Sequence, residues 1–166
     1  MASSLQSPYD IVEEGNFSYS FTTKHGVVYH AYFLDYSAYL PSFSSVYMFN
    51  IEPEEDAAHP MDSRIAVTVV ELLKRFFAHN ENAMIMVCDT LDGKELKRKR
   101  LFSRWFLQYN NGDIQKFDAS SEDEDYLLYV SLFVHKKNPH FKELVSAFYE
   151  LVKNNLVPSD DTSEQA

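Results

Sequence analysis

The segment that decides the fold spans residues 61–109 and reads MDSRIAVTVVELLKRFFAHNENAMIMVCDTLDGKELKRKRLFSRWFLQY. Its first part has apolar residues at steps of three and four, which is the spacing of one helix face. These residues are Ile65, Val69, Leu72, Leu73 and Phe76. Asp62 or Ser63 can cap the start of this helix by accepting from unpaired backbone N–H groups. The pattern predicts a helix over residues 63–79 whose apolar stripe lies in the core.

The second part of the segment predicts a buried strand followed by another helix. Residues 83–88 form a continuous apolar run, which is typical of a strand covered on both faces. Asp92 and Gly93 form a turn, and a second helix follows. Its inward-facing residues are predicted to be Leu101, Phe102, Trp105, Phe106 and Tyr109. A helix that leads into such a strand indicates a right-handed crossover, so residues 83–88 should lie parallel to residues 46–51.

The rest of the chain adds strands on both sides of this segment and a last helix. A hairpin turn is predicted at Lys24-His25-Gly26, because glycine readily adopts the positive φ that such turns need. Asn138 and Pro139 are expected to start the last helix as its cap and first residue. The remaining predicted strands are 17–22, 27–36, 46–51, 114–117 and 126–134.

These elements predict one α+β domain with a mixed, twisted sheet and the order βββαβαββα. The domain is expected to cover residues 16–156. Residues 1–15 are predicted to be a loose segment, and residues 157–166 a disordered polar tail.

Composition excludes several classes of function. The net charge of −10 argues against binding to nucleic acids or anionic membranes, since both require positive potential. A single cysteine excludes an internal disulfide and a cysteine-based zinc site, and the histidines lack metal-ligand spacing. No apolar run approaches the roughly 18 residues of a membrane span, and the N-terminus lacks the features of a signal peptide. We therefore expect a protein without a metal site and without membrane contact, located in a reducing cytoplasm.

The sharpest charge feature is a basic cluster in the predicted second helix, which carries six of the fifteen basic residues between Lys94 and Arg104. One interpretation is a docking site for an unknown protein partner or a small anionic ligand. The candidate binding residues are Lys97, Arg98, Arg100 and Arg104. The other interpretation, which such charge runs favour, is a solvated helix face paired with the chain's own acidic loops.

The predicted order resembles the central and C-terminal part of the GNAT-type N-acetyltransferase fold over residues 17–134. In that fold, three antiparallel strands lead through a helix, a strand and a helix to two final strands. The sequence is also similar to a family of short uncharacterised bacterial proteins, found mainly in anaerobic gut bacteria and known only as a domain of unknown function. The similarity lies in Asp62-x-Arg64-Ile65, Phe76-Phe77, Asn80, Val87-Cys88-Asp89, Asp92-Gly93, Glu95, Arg98 and Leu101-Phe102-x-Arg104-Trp105.

The acetyltransferase resemblance implies that acetyl-CoA would bind by its pyrophosphate at the N-terminus of the helix after the third strand. The loop there follows Arg/Gln-x-x-Gly-x-Gly/Ala, which lets backbone N–H groups approach the phosphates. Here residues 57–64 contain no glycine, Pro60 removes a donor and Asp62 adds a negative charge. The family's tyrosine in the second helix, which protonates the leaving thiolate, falls near Phe102.

We therefore expect a non-catalytic binding or regulatory module on a degenerate acetyltransferase-like scaffold, without a cofactor. The alternative is an N-acyltransferase that holds acetyl-CoA through an atypical, glycine-free loop. In that case the positive charge of the second helix would contact the CoA phosphates.

Overall fold

The computed structural model of the protein describes residues 6–55, 62–89, 106–107, 112–122 and 127–154. The strands are β1 Val12–Gly15, β2 Ser18–Thr22, β3 Val28–Asp35, β4 Val46–Pro53, β5 Ala83–Asp89, β6 Ile114–Glu122 and β7 Leu127–His135. The helices are α1 Ser63–Phe77 and α2 Phe141–Lys153. The fold class is therefore α+β.

The strands form one mixed sheet in the order β1-β2-β3-β4-β5-β7-β6. β4 and β5 run parallel, with Val46–Met48 paired to Ala83–Ile85. The pairs β1–β2, β2–β3, β5–β7 and β6–β7 are antiparallel. The prediction that residues 46–51 and 83–88 are adjacent and parallel is confirmed, because α1 connects these strands as a crossover.

The chain divides into two compact units. The first contains Met1–Leu34 and Phe49–His79, and the second contains Asp35–Met48 and Asn80–Ala166. In the first unit, three residues of the predicted α1 stripe are buried: Val69, Leu72 at 1% exposed and Phe76 at 4%. The other two, Ile65 and Leu73, are half-buried. The ring of Phe76 stacks on Phe33 at a centroid distance of 4.3 Å, and Phe17 meets Phe76 edge-on at 6.3 Å. Aromatic side chains therefore dominate the contact between α1 and its strands.

The second unit has a mainly aliphatic core. One face of β5, β7 and β6 packs against α2, whose Phe148 is fully buried. The buried members of this core are Tyr36, Leu40, Val46, Ala83, Ile85, Val130, Leu132, Val134, Leu144, Phe148, Leu151 and Val152. Burial raises the pKa of Tyr36 to about 12, with a further contribution from Tyr39.

The N-terminal part differs from the prediction of a loose segment over residues 1–15. Residues 12–15 form β1 along β2, and Tyr9 is only 7% exposed, with its ring parallel to Phe21 at 6.1 Å. All four residues of β1 are exposed, so this strand has no alternation of apolar and polar residues. β1 is formed by backbone hydrogen bonds to β2, and such bonds leave no hydrophobic pattern in the sequence from which the strand could be predicted.

The last helix begins at Phe141, two residues after the predicted start. The Asn138 side chain accepts a hydrogen bond from the His140 N–H at 2.8 Å and donates to the Glu81 carbonyl at 3.2 Å. Asn138 therefore forms a local turn before the helix instead of capping it. His140 occupies the cap position without a side-chain cap bond.

The other differences lie around β6. This strand extends to Glu122, beyond the predicted end at residue 117, because nine successive residues pair with β7. Of the predicted second helix, only Phe106 and Leu107 are described, and both are helical. Phe106 meets Phe133 at 5.5 Å, which agrees with its predicted inward position. The predicted tail at 157–166 lies outside the described residues.

Candidate functional site

The start of α1 is the position that the acetyltransferase resemblance assigns to phosphate binding. Asp62 has an extended backbone and is the N-cap, as predicted. Its Oδ1 accepts from the Arg64 N–H at 2.9 Å, and its carbonyl accepts from the Ile65 N–H at 3.1 Å. Helix N-termini attract anions because N–H groups there lack intrahelical acceptors. At the start of α1, the anion is the chain's own Asp62 carboxylate.

The Asp62 carboxylate is held in place by Tyr9. The buried Tyr9 hydroxyl donates to Asp62 Oδ2 and accepts from the Lys24 backbone N–H at 3.1 Å. The Tyr9 N–H donates to Thr68 Oγ1 at 2.9 Å, and that hydroxyl donates to the Arg64 carbonyl at 2.7 Å. Tyr9 is thus attached to the first two turns of α1 by its backbone and by its ring.

Further contacts attach the residues before Tyr9 to the same helix. The Arg64 guanidinium carbon lies 3.9 Å from the centre of the Tyr9 ring, a cation–π geometry. Arg64 Nε donates to the Ser7 carbonyl at 2.9 Å, and the hydroxyl of Ser63 donates to Gln6 Oε1 at 2.7 Å. Residues 6–9 therefore form a strap across the start of α1, called the N-terminal strap below. The strap engages Arg64, the cation nearest the helix start in sequence.

The electrostatics of this site favour a charged Asp62 and a neutral Tyr9. Burial opposes the charge of Asp62, but the hydrogen bonds from Tyr9 and from the Arg64 N–H lower the pKa of its carboxyl below the usual value. The positive charge of Lys24 adds to this effect. Burial and the bond to Asp62 raise the pKa of Tyr9. At neutral pH the pair is therefore a phenol that donates to a carboxylate.

This arrangement does not fit the pyrophosphate of acetyl-CoA. A phosphate that approached the first N–H groups of α1 would meet the charge of Asp62, which is fixed by Tyr9. It would also lack Arg64, whose guanidinium lies on the Tyr9 ring and donates to carbonyls of the N-terminal strap. Repulsion between like charges at hydrogen-bond distance is costly in a partly buried site. The described start of α1 is a closed cap.

A second polar cluster joins β6 and β7 in the second unit. The Lys116 ammonium pairs with the Asp118 carboxylate, and the Ser131 hydroxyl donates to the same carboxylate. The Lys116 side chain is only 11% exposed, and its ammonium lies 5.9 Å from the Phe133 ring centre. This cluster was not predicted from the sequence, because Asp118 and Ser131 lie thirteen positions apart in the chain. The sequence feature that could have indicated this cluster is the alternation of polar residues at positions 116, 118 and 120.

A third cluster lies on the first unit. His30 Nδ1 lies 3.5 Å from Glu14 Oε1, and His30 Nε2 lies 3.3 Å from Glu54 Oε1. The Tyr32 hydroxyl donates to Glu52 at 3.2 Å. The three glutamates are exposed, and His30 and Tyr32 are half-buried. Among the described residues, no group of three histidine, cysteine, aspartate or glutamate side chains is arranged to hold a metal ion.

The basic residues that the sequence singled out, Lys97, Arg98, Arg100 and Arg104, lie outside the described residues. The same holds for Asp92, Gly93 and Phe102. Their proposed roles stay predictions. Neither α1 nor α2 is long and apolar enough to cross a membrane, and no other helix in the described ranges is either.

A comparison with protein families identifies the family of this chain. Residues 61–150 match the family of unknown function DUF6169. The chain belongs to this family. The matched region begins just before the cap of α1 and includes Asp62, Arg64, Thr68 and Ser131, whereas Tyr9 and the N-terminal strap precede it. No curated protein and no solved structure matches the chain. The DUF6169 match therefore assigns a family but no activity.

Proposed function

We propose that this DUF6169 protein is a non-catalytic binding or regulatory module on a degenerate GNAT-like scaffold, working in a bacterial cytoplasm. One feature of the sheet supports the scaffold: the parallel pair β4–β5 with α1 as its crossover. The single cysteine of the chain suits a reducing compartment.

One observation carries the non-catalytic part of the proposal. The Asp62 carboxylate accepts from the Arg64 N–H and from the Tyr9 hydroxyl, so it takes the place of a bound anion at the start of α1. An acetyltransferase needs that place for the cofactor. A chain that fills it with its own negative charge has lost the main phosphate contact of this scaffold.

A titration with acetyl-CoA, followed by thermal unfolding, tests this proposal. We expect no saturable stabilisation of the wild-type protein, and the same result with inorganic pyrophosphate. A binding ligand at a hundred times its Kd would add about 2.7 kcal/mol of stability. The matched variant is Asp62→Gly, which removes the carboxylate but keeps an acceptable cap residue.

The two candidate functions give different results in this titration. A saturable shift of the wild-type protein with acetyl-CoA would contradict the non-catalytic module and favour the N-acyltransferase with a glycine-free loop. If that shift grew in Asp62→Gly, the ligand would be binding at the start of α1. If it were unchanged there but lost when Arg98 and Arg100 became Gln, the basic cluster would be the phosphate contact.

The partner is proposed to be a protein with an acidic surface or a small anionic ligand. The contrast between a net charge of −10 and the basic cluster supports this chemistry, because a local positive field attracts such groups. The test changes Lys97, Arg98 and Arg100 together to Gln and compares the proteins recovered from the native cell at low and moderate salt. If the wild-type protein and the triple variant recovered the same partners, the basic cluster would be a solvated surface and not a binding site.

A further inference from the structure

The N-terminal arm, defined as residues 6–15, comprises the N-terminal strap and β1, and a very short turn joins it to β2. Gly15 pairs with Ser18, so Asn16 and Phe17 alone connect the two strands. Phe17 has a φ of 59° and is the one non-glycine residue with a positive φ in the described part of the chain. This left-handed conformation is costly for a bulky residue, whereas glycine and asparagine adopt it more easily. The turn therefore holds backbone strain at Phe17.

The strained torsion lies between the arm and the rest of the chain, so it can act as a hinge. Rotation about the N–Cα bond of Phe17 moves the residues before it and leaves its side chain and carbonyl in place. Both are anchored: the ring meets Phe33 at 6.2 Å and Phe76 at 6.3 Å, and the carbonyl accepts from the Phe33 N–H at 2.9 Å. Swinging the arm away therefore releases the strain at Phe17 while these contacts stay.

The arm is attached to the rest of the first unit by contacts that any copy of the chain can supply. Tyr9 is the one buried residue of the arm, all of which the structure describes, and its partners Asp62, Arg64 and Thr68 lie at the start of α1. β1 adds backbone pairs to β2, and its four side chains are exposed. Detaching the arm therefore leaves a slot for one tyrosine ring beside Phe21 and a free edge on β2.

We infer that two copies of this chain exchange their N-terminal arms, so that Tyr9 of each copy binds Asp62 of the other. The bond from the Tyr9 hydroxyl to Asp62 and the pairing of β1 with β2 are kept, but each now joins two copies. The turn is what changes, because Asn16 and Phe17 become extended and the strain is released in each copy. Short connections under strain favour this kind of exchange. Each α1 cap in the dimer is then completed by the other copy.

The balance between monomer and exchanged dimer depends on protein concentration. The contacts of the arm are the same in both states, and release of strain favours the dimer. Loss of translational and rotational freedom favours the monomer, as does repulsion between two chains of net charge −10. We therefore expect the dimer to form when the protein refolds at high concentration and moderate salt, where the repulsion is screened.

A cross-strand disulfide reports which copy holds each arm. Val12 pairs with Ser20, so Val12→Cys and Ser20→Cys, in a chain that also carries Cys88→Ser, place two thiols on neighbouring strands. The protein is refolded in reductant at low and high concentration, then oxidised and run on a denaturing gel without reductant. Exchange predicts a covalent dimer whose share rises with the concentration during refolding. The control with Val12→Cys and Cys88→Ser alone should give no dimer band.

Two substitutions of Phe17 test whether strain drives the exchange. Phe17→Gly and Phe17→Ala both remove the ring, but only glycine removes the penalty of the left-handed conformation. The ratio of dimer to monomer after refolding should be at least about tenfold lower in Phe17→Gly, because the penalty is relieved in both copies of a dimer. Size-exclusion chromatography with light scattering measures this ratio, against the 19.3 kDa of one chain.

Three results would overturn the inference. One is a wild-type protein that stays monomeric after refolding at every concentration. Another is a disulfide between the cysteines introduced at Val12 and Ser20 that forms only within single chains, because each arm would then remain on its own copy. The third is an equal dimer ratio in Phe17→Gly and Phe17→Ala. The disulfide experiment keeps the ring of Phe17, so it decides the question even if both Phe17 variants fold poorly.

Discussion

The helices α1 and α2 start in different ways. α1 begins at a cap whose carboxylate binds the Arg64 N–H and is itself held by Tyr9, 53 residues away in the chain. α2 begins after a local turn, in which Asn138 accepts from the His140 N–H and no side chain caps the helix. Both helices bury an apolar stripe. The cap of α1 is therefore held by a distant residue, whereas at α2 the distant contact, from Asn138 to the Glu81 carbonyl, holds the turn before the helix.

The two helices also differ in what they pack against. Phe76 of α1 lies against the rings of Phe33, Phe17 and Phe77. Phe148 of α2 lies in a mainly aliphatic cluster and has one ring contact, edge-on to Tyr149 at 5.1 Å. Aromatic pairs add a directional term to the area that they bury. The position of α1 therefore depends on the orientation of aromatic rings as well as on the apolar area that the helix buries.

The largest expected effect comes from truncating the two phenylalanines. Phe76→Ala and Phe148→Ala should each lower the free energy of unfolding by about 3–5 kcal/mol, because both rings are buried. Phe76→Leu should cost about 0.5–1.5 kcal/mol more than Phe148→Leu, since the first loses contacts with three phenylalanine rings and the second loses one contact, with Tyr149. Urea unfolding measures all four changes. A loss below about 1 kcal/mol for Phe76→Ala would place the stripe of α1 on the surface.

The next effect separates the two helix starts. Asp62→Ala should cost about 2 kcal/mol, the upper end for a lost cap, because the Tyr9 hydroxyl also loses its acceptor. The matched variant in α2 is His140→Ala, which should stay within about 0.5 kcal/mol of wild type. Thermal unfolding of both variants gives the comparison. Equal losses would mean that the contact with the N-terminal strap adds nothing to the cap.

A smaller effect appears in the pH dependence of the Asp62 cap. The lowered pKa of Asp62 means that its charge stabilises the folded protein fully above the ordinary value near 3.8, and that this stability is lost as the pH falls through the folded pKa. The stability gap between wild type and Asp62→Asn should therefore be constant near neutral pH and close below about pH 4.

The matched measurement repeats this series in a Tyr9→Phe background. There the gap should be smaller at neutral pH, because one of the hydrogen bonds that lower the pKa is removed. If the gap between wild type and Asp62→Asn did not change down to pH 2.5, well below the reference pKa, the carboxylate would not be the charged acceptor described here.

The smallest effect concerns the surface pairs of the two helices. Arg75 Nε lies 3.2 Å from Glu71 Oε2, four residues apart on α1, where side chains of one helix face meet. A double-mutant cycle on this pair should give about 0.3–0.5 kcal/mol, reduced by added salt. The looser pair of α2, His140 with Glu143 at 3.8 Å, should give less. An α2 value larger than the α1 value would reverse this ranking.

The sequence by itself determined the elements whose signal is local. The apolar spacing of Val69, Leu72 and Phe76 predicted α1 and its buried face. The continuous run at 83–88 predicted β5, and the crossover rule then predicted its parallel neighbour. A cap at Asp62 or Ser63 and a positive φ at Gly26, observed at 77°, followed from the preferences of single residues, and the structure selects Asp62 as the cap. In each case one chain segment contains the whole physical cause.

Only the tertiary structure decided the features that join distant segments. Tyr9 meets Asp62 across 53 residues, and Ser131 meets Asp118 across thirteen. β1 forms without any apolar alternation, because its hydrogen bonds to β2 use the backbone alone. The sequence shows that Asp62 can cap a helix and that Tyr9 is a tyrosine. The sequence cannot show that the Tyr9 hydroxyl reaches the Asp62 carboxylate, because that contact depends on how the fold brings these two distant residues together.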